Sequence, residues 1–496
     1  MVKKTLTLIF LTAILSSCTG TITMDESTLM DKIRGGWYAQ TIGCTYGGPT
    51  EFKFKGQVIP DSVSIEWHDN YIYDTFNDRP GLYDDVYMDL TFLEVMAENG
   101  FNAAQDLYAQ KFANAPYYLW HANQAARYNI LHGCGTPESG FWRNNPHADD
   151  IDFQIESDFI GMLTPGRPDL AIPFCDTIGH IMNYGDGWYG GVFTSAMYSY
   201  AYVYDDIETI VGKAVQMIPR GTGFRSCIDD VLQFHSGNPE SWKECWGMVQ
   251  EKHSLDIGCP DGVWEAFDID ATINAAYVVI GLLYGGGDFL KTMEISTRCG
   301  QDSDCNPATA AGILGVIYGY EAIPEDFRRS AERISDIPFP YTSLSLNDVC
   351  EKNLQLLKDA MGAGCCKPDG SIRIKVKEPS PVQYEQSFEG LSLKEQIIID
   401  AVLKDSLDVD FNGSASVIKG KVQQCGDCSY DYTARIEVVL DGEPAEIVEM
   451  PADYRTRKLD IFYRYGLEKG AHRISLKLLN PDPAFCVNAQ KAIIYE

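Results

Sequence analysis

The chain has 496 residues, 45% of them hydrophobic, with Lys+Arg 40 against Asp+Glu 70 and a net charge of -30. That apolar content excludes a disordered chain, and the negative charge excludes a nucleic-acid backbone as partner. The length suffices for a large core with an accessory module.

Residues 1–18 read as a lipoprotein signal peptide. Lys3 and Lys4 give a basic start, residues 6–15 an apolar run too short to span, and Ser16 and Ser17 precede an acylatable Cys18. An ordinary signal peptide with a chance Cys is the competing reading. The lipoprotein reading predicts a lipid anchor at Cys18 and a place in the bacterial cell envelope, on the periplasmic face or the cell surface. Residues 19–27 follow as a tether. No later stretch is long and apolar enough for a membrane helix. The other cysteines are scattered without paired zinc spacing, and Cys425-Gly-Asp-Cys428 is a single CxxC.

Residues 28–360 form one predicted helical domain. Leu29, Ile33, Trp37 and Ile42 recur at helical spacing, and Gly35 and Gly36 among them predict close packing. A glycine-rich loop then leads to Glu51. Asp84 and Asp85 open a helix over residues 86–99, closed by Gly100. In the middle, Ile151, Ile155 and Phe159 fall on one helical face, which puts most of the surrounding acids on a wet face. His180 precedes a loop of glycines and aromatics with Trp188 and Tyr189, placed either to stack on a sugar or to wedge into the core. Further helices are predicted over residues 191–203, 211–217, 274–284 and 288–297.

Asp302 and Asp304 then stand before Pro307 and an apolar, small-residue helix over residues 308–318, with Gly312 and Gly315 calling for close neighbours. Either acidic pair could serve only as a helix cap or a complement to the dipole. Two such ends facing one another would gather four carboxylates, a donor set for a hard cation such as Mg²⁺. From residue 361 the pattern changes to short alternating strands separated by Gly, Asp and Pro turns, a small β-sandwich over residues 361–496. Residues 391–403 read as a helix or an insertion.

The order of these motifs resembles the ADP-ribosylglycohydrolase family. Arg34-Gly35, the loop from Gly43 to Glu51, Asp84-Asp85 and the run from Gly300 to Asn306 carry the likeness, with Ile151 to Asp158, Pro165-Gly166, His180 and Tyr189-Gly190 matching one branch. The resemblance implies an all-helical fold that hydrolyses a glycosidic bond of a small-molecule or glycan substrate. It implies Asp84, Asp85, Asp302 and Asp304 as ligands of one or two Mg²⁺ ions, with Glu51, Asp85 and Asp304 in catalytic roles. Asp158, His180, Trp188 and Tyr189 are expected at the substrate. Tyr83 and Cys305 stand where the family usually has hydroxyl ligands. A non-catalytic glycan-binding lipoprotein on the same fold is the alternative.

Overall fold

A computed structural model describes residues 20–362, 364–425 and 431–496, so the expected signal peptide, Cys18 and Cys428 lie outside the described residues. The fold class matches the patterning: a helical region through Met361, then antiparallel β-sheets. No helix of the described residues is long and apolar enough to cross a membrane.

Two helices, Glu26–Gly47 and Cys305–Tyr318, form the spine of the helical region. Each is buried almost all round, so neither carries the one-sided apolar stripe of a surface helix. Their glycines set how closely they lie. A Cβ on Gly35 would stand 2.0 Å from the Gly315 carbonyl oxygen, and one on Gly47 would stand 1.7 Å from that of Ser303. Backbone therefore touches backbone, and the pairing of residue 35 with 315 and 47 with 303 makes the helices antiparallel. That geometry brings the end of the first helix, and Glu51 just beyond it, to the start of the last, at Asp304.

The helix predicted over residues 86–99 begins at Asp84 and ends at Asn99, against a Gly100 with φ 78°. The helix over residues 211–217 is instead an α-helix, Ile207–Ala214, that tightens into a 3₁₀ turn at Val215–Met217. One expectation about the middle fails. Residues 151–159 are not one helix with a wet acidic face but two short ones, Asp152–Ile155 and Asp158–Met162. Asp150, Asp152, Glu156 and Asp158 are all buried. The break at Ser157 resets the helical phase, so periodicity carried across it misplaces the acids.

The expected tether is also structured. Strand β1, Thr21–Asp25, pairs antiparallel with β2, Ser371–Lys375, from Thr21 opposite Lys375 to Asp25 opposite Ser371. The sandwich itself therefore starts later than residue 361. Its strands are β3 (Leu393–Leu403), β4 (Ser406–Gly413), β5 (Ala415–Gln424), β6 (Thr433–Leu440), β7 (Glu443–Pro451), β8 (Asp460–Arg464), β9 (Gly470–Leu478) and β10 (Phe485–Tyr495). They form two four-stranded sheets, ordered β3-β10-β5-β8 and β4-β9-β6-β7. Residues 393–403 are thus a strand, stabilised by pairing with β10 rather than by local helix propensity. Ile418, Ile461 and Val487 of one sheet meet Ile436, Ile474 and Leu476 of the other in the sandwich core. A second apolar cluster joins Val263 to Ala415, Val417, Ile493 and Tyr495, so the sandwich buttresses the helical region directly.

Candidate active site

The loop after the first helix is zipped onto the loop before the last. Phe52 N donates to Gln301 O at 3.0 Å and Gln301 N to Phe54 O at 3.1 Å. The Thr50 and Ser303 hydroxyls share a hydrogen bond of 2.9 Å. Glu51, Asp302 and Asp304 thereby gather, with one oxygen of each within 4.8 Å of the others. Asp84 and Asp85 arrive from the start of their helix and join Asp304 and the Cys305 thiol in a second group, of four, within the same distance of one another. Asp85, Asp302 and Asp304 are buried, and Asp84 is partly exposed.

These carboxyls lack the partners that buried charge requires. Both oxygens of Asp85 and Oδ1 of Asp304 have no hydrogen-bond partner. The charge of Asp304 first, and burial second, raise Glu51 to about 8. Burial first, then Glu51, raise Asp84 to about 8. Burial and mutual repulsion push Asp85, Asp302 and Asp304 well above the usual carboxylate range. A cluster of unpartnered oxygens fits a hard divalent cation, which neutralises the repulsion and takes oxygen ligands. Tyr83 is no substitute for a missing hydroxyl ligand. Its OH bonds to Thr45 Oγ1 at 2.9 Å, and its ring packs between Phe76 and Phe339. Cys305 does stand among the acids, but a thiol is a poor partner for a hard ion.

Glu51, Asp84, Asp302 and Asp304 floor a cavity of ≈ 440 Å³, with Asp85 behind them. Its wall is aromatic. Phe267 lies 5.3 Å from the Phe52 ring and stacks on His121 at 5.4 Å, and Trp120 beside them is 38% exposed. Phe52, His121 and Gln301 all adopt left-handed backbone, with φ of 49°, 42° and 54°. Such conformations cost about 1–3 kcal/mol each in non-glycine residues and cluster where function holds them. Arg79, Asn123 and Asp152 also line the cavity. Trp120, His121 and Phe267 carry no signal in the sequence beyond being aromatic, because their convergence depends on chain segments far apart.

The structure does not bring the four expected substrate contacts to this cavity. Asp158 lies behind the floor, where it accepts hydrogen bonds from Gln40 Nε2 and Tyr198 OH at 2.9 Å each. Trp188 is buried and donates from Nε1 to Cys175 O at 2.9 Å. Tyr189 bonds through its hydroxyl to the backbone of Gln383 and Glu385. His180 stacks on Trp188 and holds Glu385 at 3.2 Å. The expected aromatic loop is the first turn of the helix Asp186–Ala201, and its rings wedge against the segment that leads to the sandwich, the packing alternative for such aromatics.

Fold and site together define a glycohydrolase-like helical protein with a buttressing β domain. The chain belongs to the ADP-ribosylglycohydrolase family, whose sequence profile matches residues 25–357. No curated protein matches it. Among solved structures it is similar to an "ADP-ribosylglycohydrolase-related protein complex", at 13% identity and TM-score 0.42, over 68% of this chain and 100% of the other. A family GH115 4-O-methyl-alpha-glucuronidase with specificity for decorated arabinogalactans is similar at 12% identity and TM-score 0.20, over 63% of this chain and 40% of the other.

Proposed function

We propose that the protein is a metal-assisted hydrolase of glycosidic bonds, acting outside the cytoplasm on a furanoside or other glycan fragment, with ADP-ribosyl compounds as second choice. The observation that carries this reading is the unpartnered carboxylate oxygen of Asp304 on the floor of a cavity with an aromatic wall, grouped with the unpartnered oxygens of Asp85 just behind it. Asp84, Asp85, Asp302 and Asp304 would hold Mg²⁺. When bound, the ion supplies Lewis-acid polarisation and orients sugar hydroxyls and water.

The chain's own residues do the rest. Glu51, gathered with Asp302 and Asp304 at the cavity, is placed to give a proton to a departing sugar oxygen. Asp85 or Asp304 takes the proton from the attacking water, in the two-carboxylate logic of glycoside hydrolysis. Phe52, Phe267 and Trp120 offer apolar faces to the sugar ring or base and narrow the access of water. Acylation at Cys18 would fix the protein to the cell envelope, as its Lys, apolar, Ser-Ser-Cys order supports.

The test is a melting curve of the chain with and without Mg²⁺, beside the Asp302→Asn/Asp304→Asn variant. The expected result is a stabilising shift in the wild type that the variant lacks, followed by turnover in a screen of furanosides and ADP-ribosyl compounds. Equal curves for both proteins would remove the metal role. Ligand binding without turnover would favour a glycan-binding lipoprotein, the reading that Cys305 among the acids supports.

A further inference from the structure

We infer that the seam between the helical region and the sandwich holds a second metal site, built for a zinc-type transition ion rather than for a hard cation. Its donors are His121, His147, Cys259 and Asp261, with one ligand atom of each within 4.8 Å of the other three. Two imidazoles, a thiol and a carboxylate are a zinc donor set, and thiolate plus carboxylate balance the ion's charge. Metal–donor bonds of about 2.0–2.3 Å in a tetrahedron put neighbouring donors roughly 3.3–3.8 Å apart. His147 Nδ1 stands 3.4 Å from Cys259 Sγ.

The surroundings have the form of an outer shell. His147 Nε2 lies 3.2 Å from Asp460 Oδ2, on β8 of the sandwich. Metal-bound histidines usually donate their second nitrogen to such a carboxylate, which turns Nδ1 toward the other donors. Lys419 Nζ, from β5, holds Asp261 Oδ1 at 2.7 Å and leaves the other oxygen available. Asp150 Oδ2 is 3.1 Å from His147 Nδ1 and 3.6 Å from His121 Nδ1. Asp150 is 1% exposed, and its Oδ1 has no hydrogen-bond partner.

A protonated His147 bridging Asp150 and Asp460 would account for that residue alone. It leaves His121 Nδ1, a buried atom without a hydrogen-bond partner, unexplained. His121 also lines the acidic cavity, so an ion here would set the position of that cavity's wall. The ligands run from residue 121 to residue 261, which is why no paired spacing announces them.

The experiment is zinc analysis of the purified full chain, followed by chelation and titration with Co²⁺. The expected results are about one equivalent of zinc and a thiolate-to-cobalt charge-transfer band in the near ultraviolet. Cys259→Ser should lose the band. Asp302→Asn/Asp304→Asn should keep it, so the outcome is separate from that for the acidic cavity. Absence of both zinc and band in the wild type overturns the inference, as does a band that survives in Cys259→Ser. Should Cys259→Ser not fold, Cys425→Ser discriminates instead, because loss of the band there would assign the metal to other thiols.

Discussion

Two groups of aspartates in this molecule look alike in composition and differ in what their oxygens touch. Asp149, Asp186 and Asp270 are half-buried; desolvation raises all three, and the charge of Asp186 raises Asp149 and Asp270 further, as neighbouring charge does among the cavity acids. Yet each has a donor. Asp186 accepts from Phe224 N at 3.1 Å, Asp270 from Thr272 N at 2.7 Å, and Asp149 from the Ser387 hydroxyl at 2.6 Å. Asp85 has no partner for either oxygen. Burial alone therefore does not mark a site. A buried carboxylate with its donors in place is part of the scaffold, and one without them is held for something else.

The sharpest way to break this comparison is Glu51→Gln, which keeps the shape of the cavity mouth and removes the exchangeable proton. Turnover of the substrate found by screening should fall on the order of 10²–10⁴-fold, with the melting temperature little changed. Wild-type activity in this variant would place proton transfer elsewhere.

A second prediction concerns the partnered carboxylates around His180. Burial on its own would lower this histidine, but its hydrogen bonds to Asp176 and Glu385 outweigh that and hold it at about 9. Because the folded value lies above the unfolded one, its stabilisation is complete below about 6.5 and fades as pH rises through 9. The stability of the wild type relative to His180→Gln, measured by urea unfolding, should therefore fall between pH 6.5 and 9, by up to about 3 kcal/mol. A difference that stays flat with pH would mean that the imidazole is neutral throughout.

The smallest expected effect is that of Asp186→Ala. It strands the Phe224 amide and should cost about 1–3 kcal/mol, read as a lower melting temperature. It should leave the response to Mg²⁺ intact. A lost Mg²⁺ response would merge the two aspartate groups into one.

Much of the fold is legible in the chain because it is written locally. Acidic pairs before apolar runs mark Asp84 and Asp304 as helix openings, and Gly35 with Gly315 signals a contact too close for side chains. What stays hidden depends on partners far away in sequence. Thr21–Asp25 becomes a strand only because Ser371–Lys375 lies beside it. Trp120, His121 and Phe267 form a wall only once two distant segments converge. Trp188 and Tyr189 lie in the first turn of the helix Asp186–Ala201, in a run of glycines and aromatics whose composition suits a sugar platform and a packing wedge equally well, and burial alone decides between them.

The pairing of β1 with β2 also has an architectural consequence. The helical region begins at one strand of this ribbon and is followed by the other, so its entrance and exit stand about 4.8 Å apart, one strand spacing. A unit whose ends meet in this way is a cassette. Joined or adjacent ends are what insertion into a host loop or circular permutation requires, provided that the face around Val263 stays covered by the sandwich.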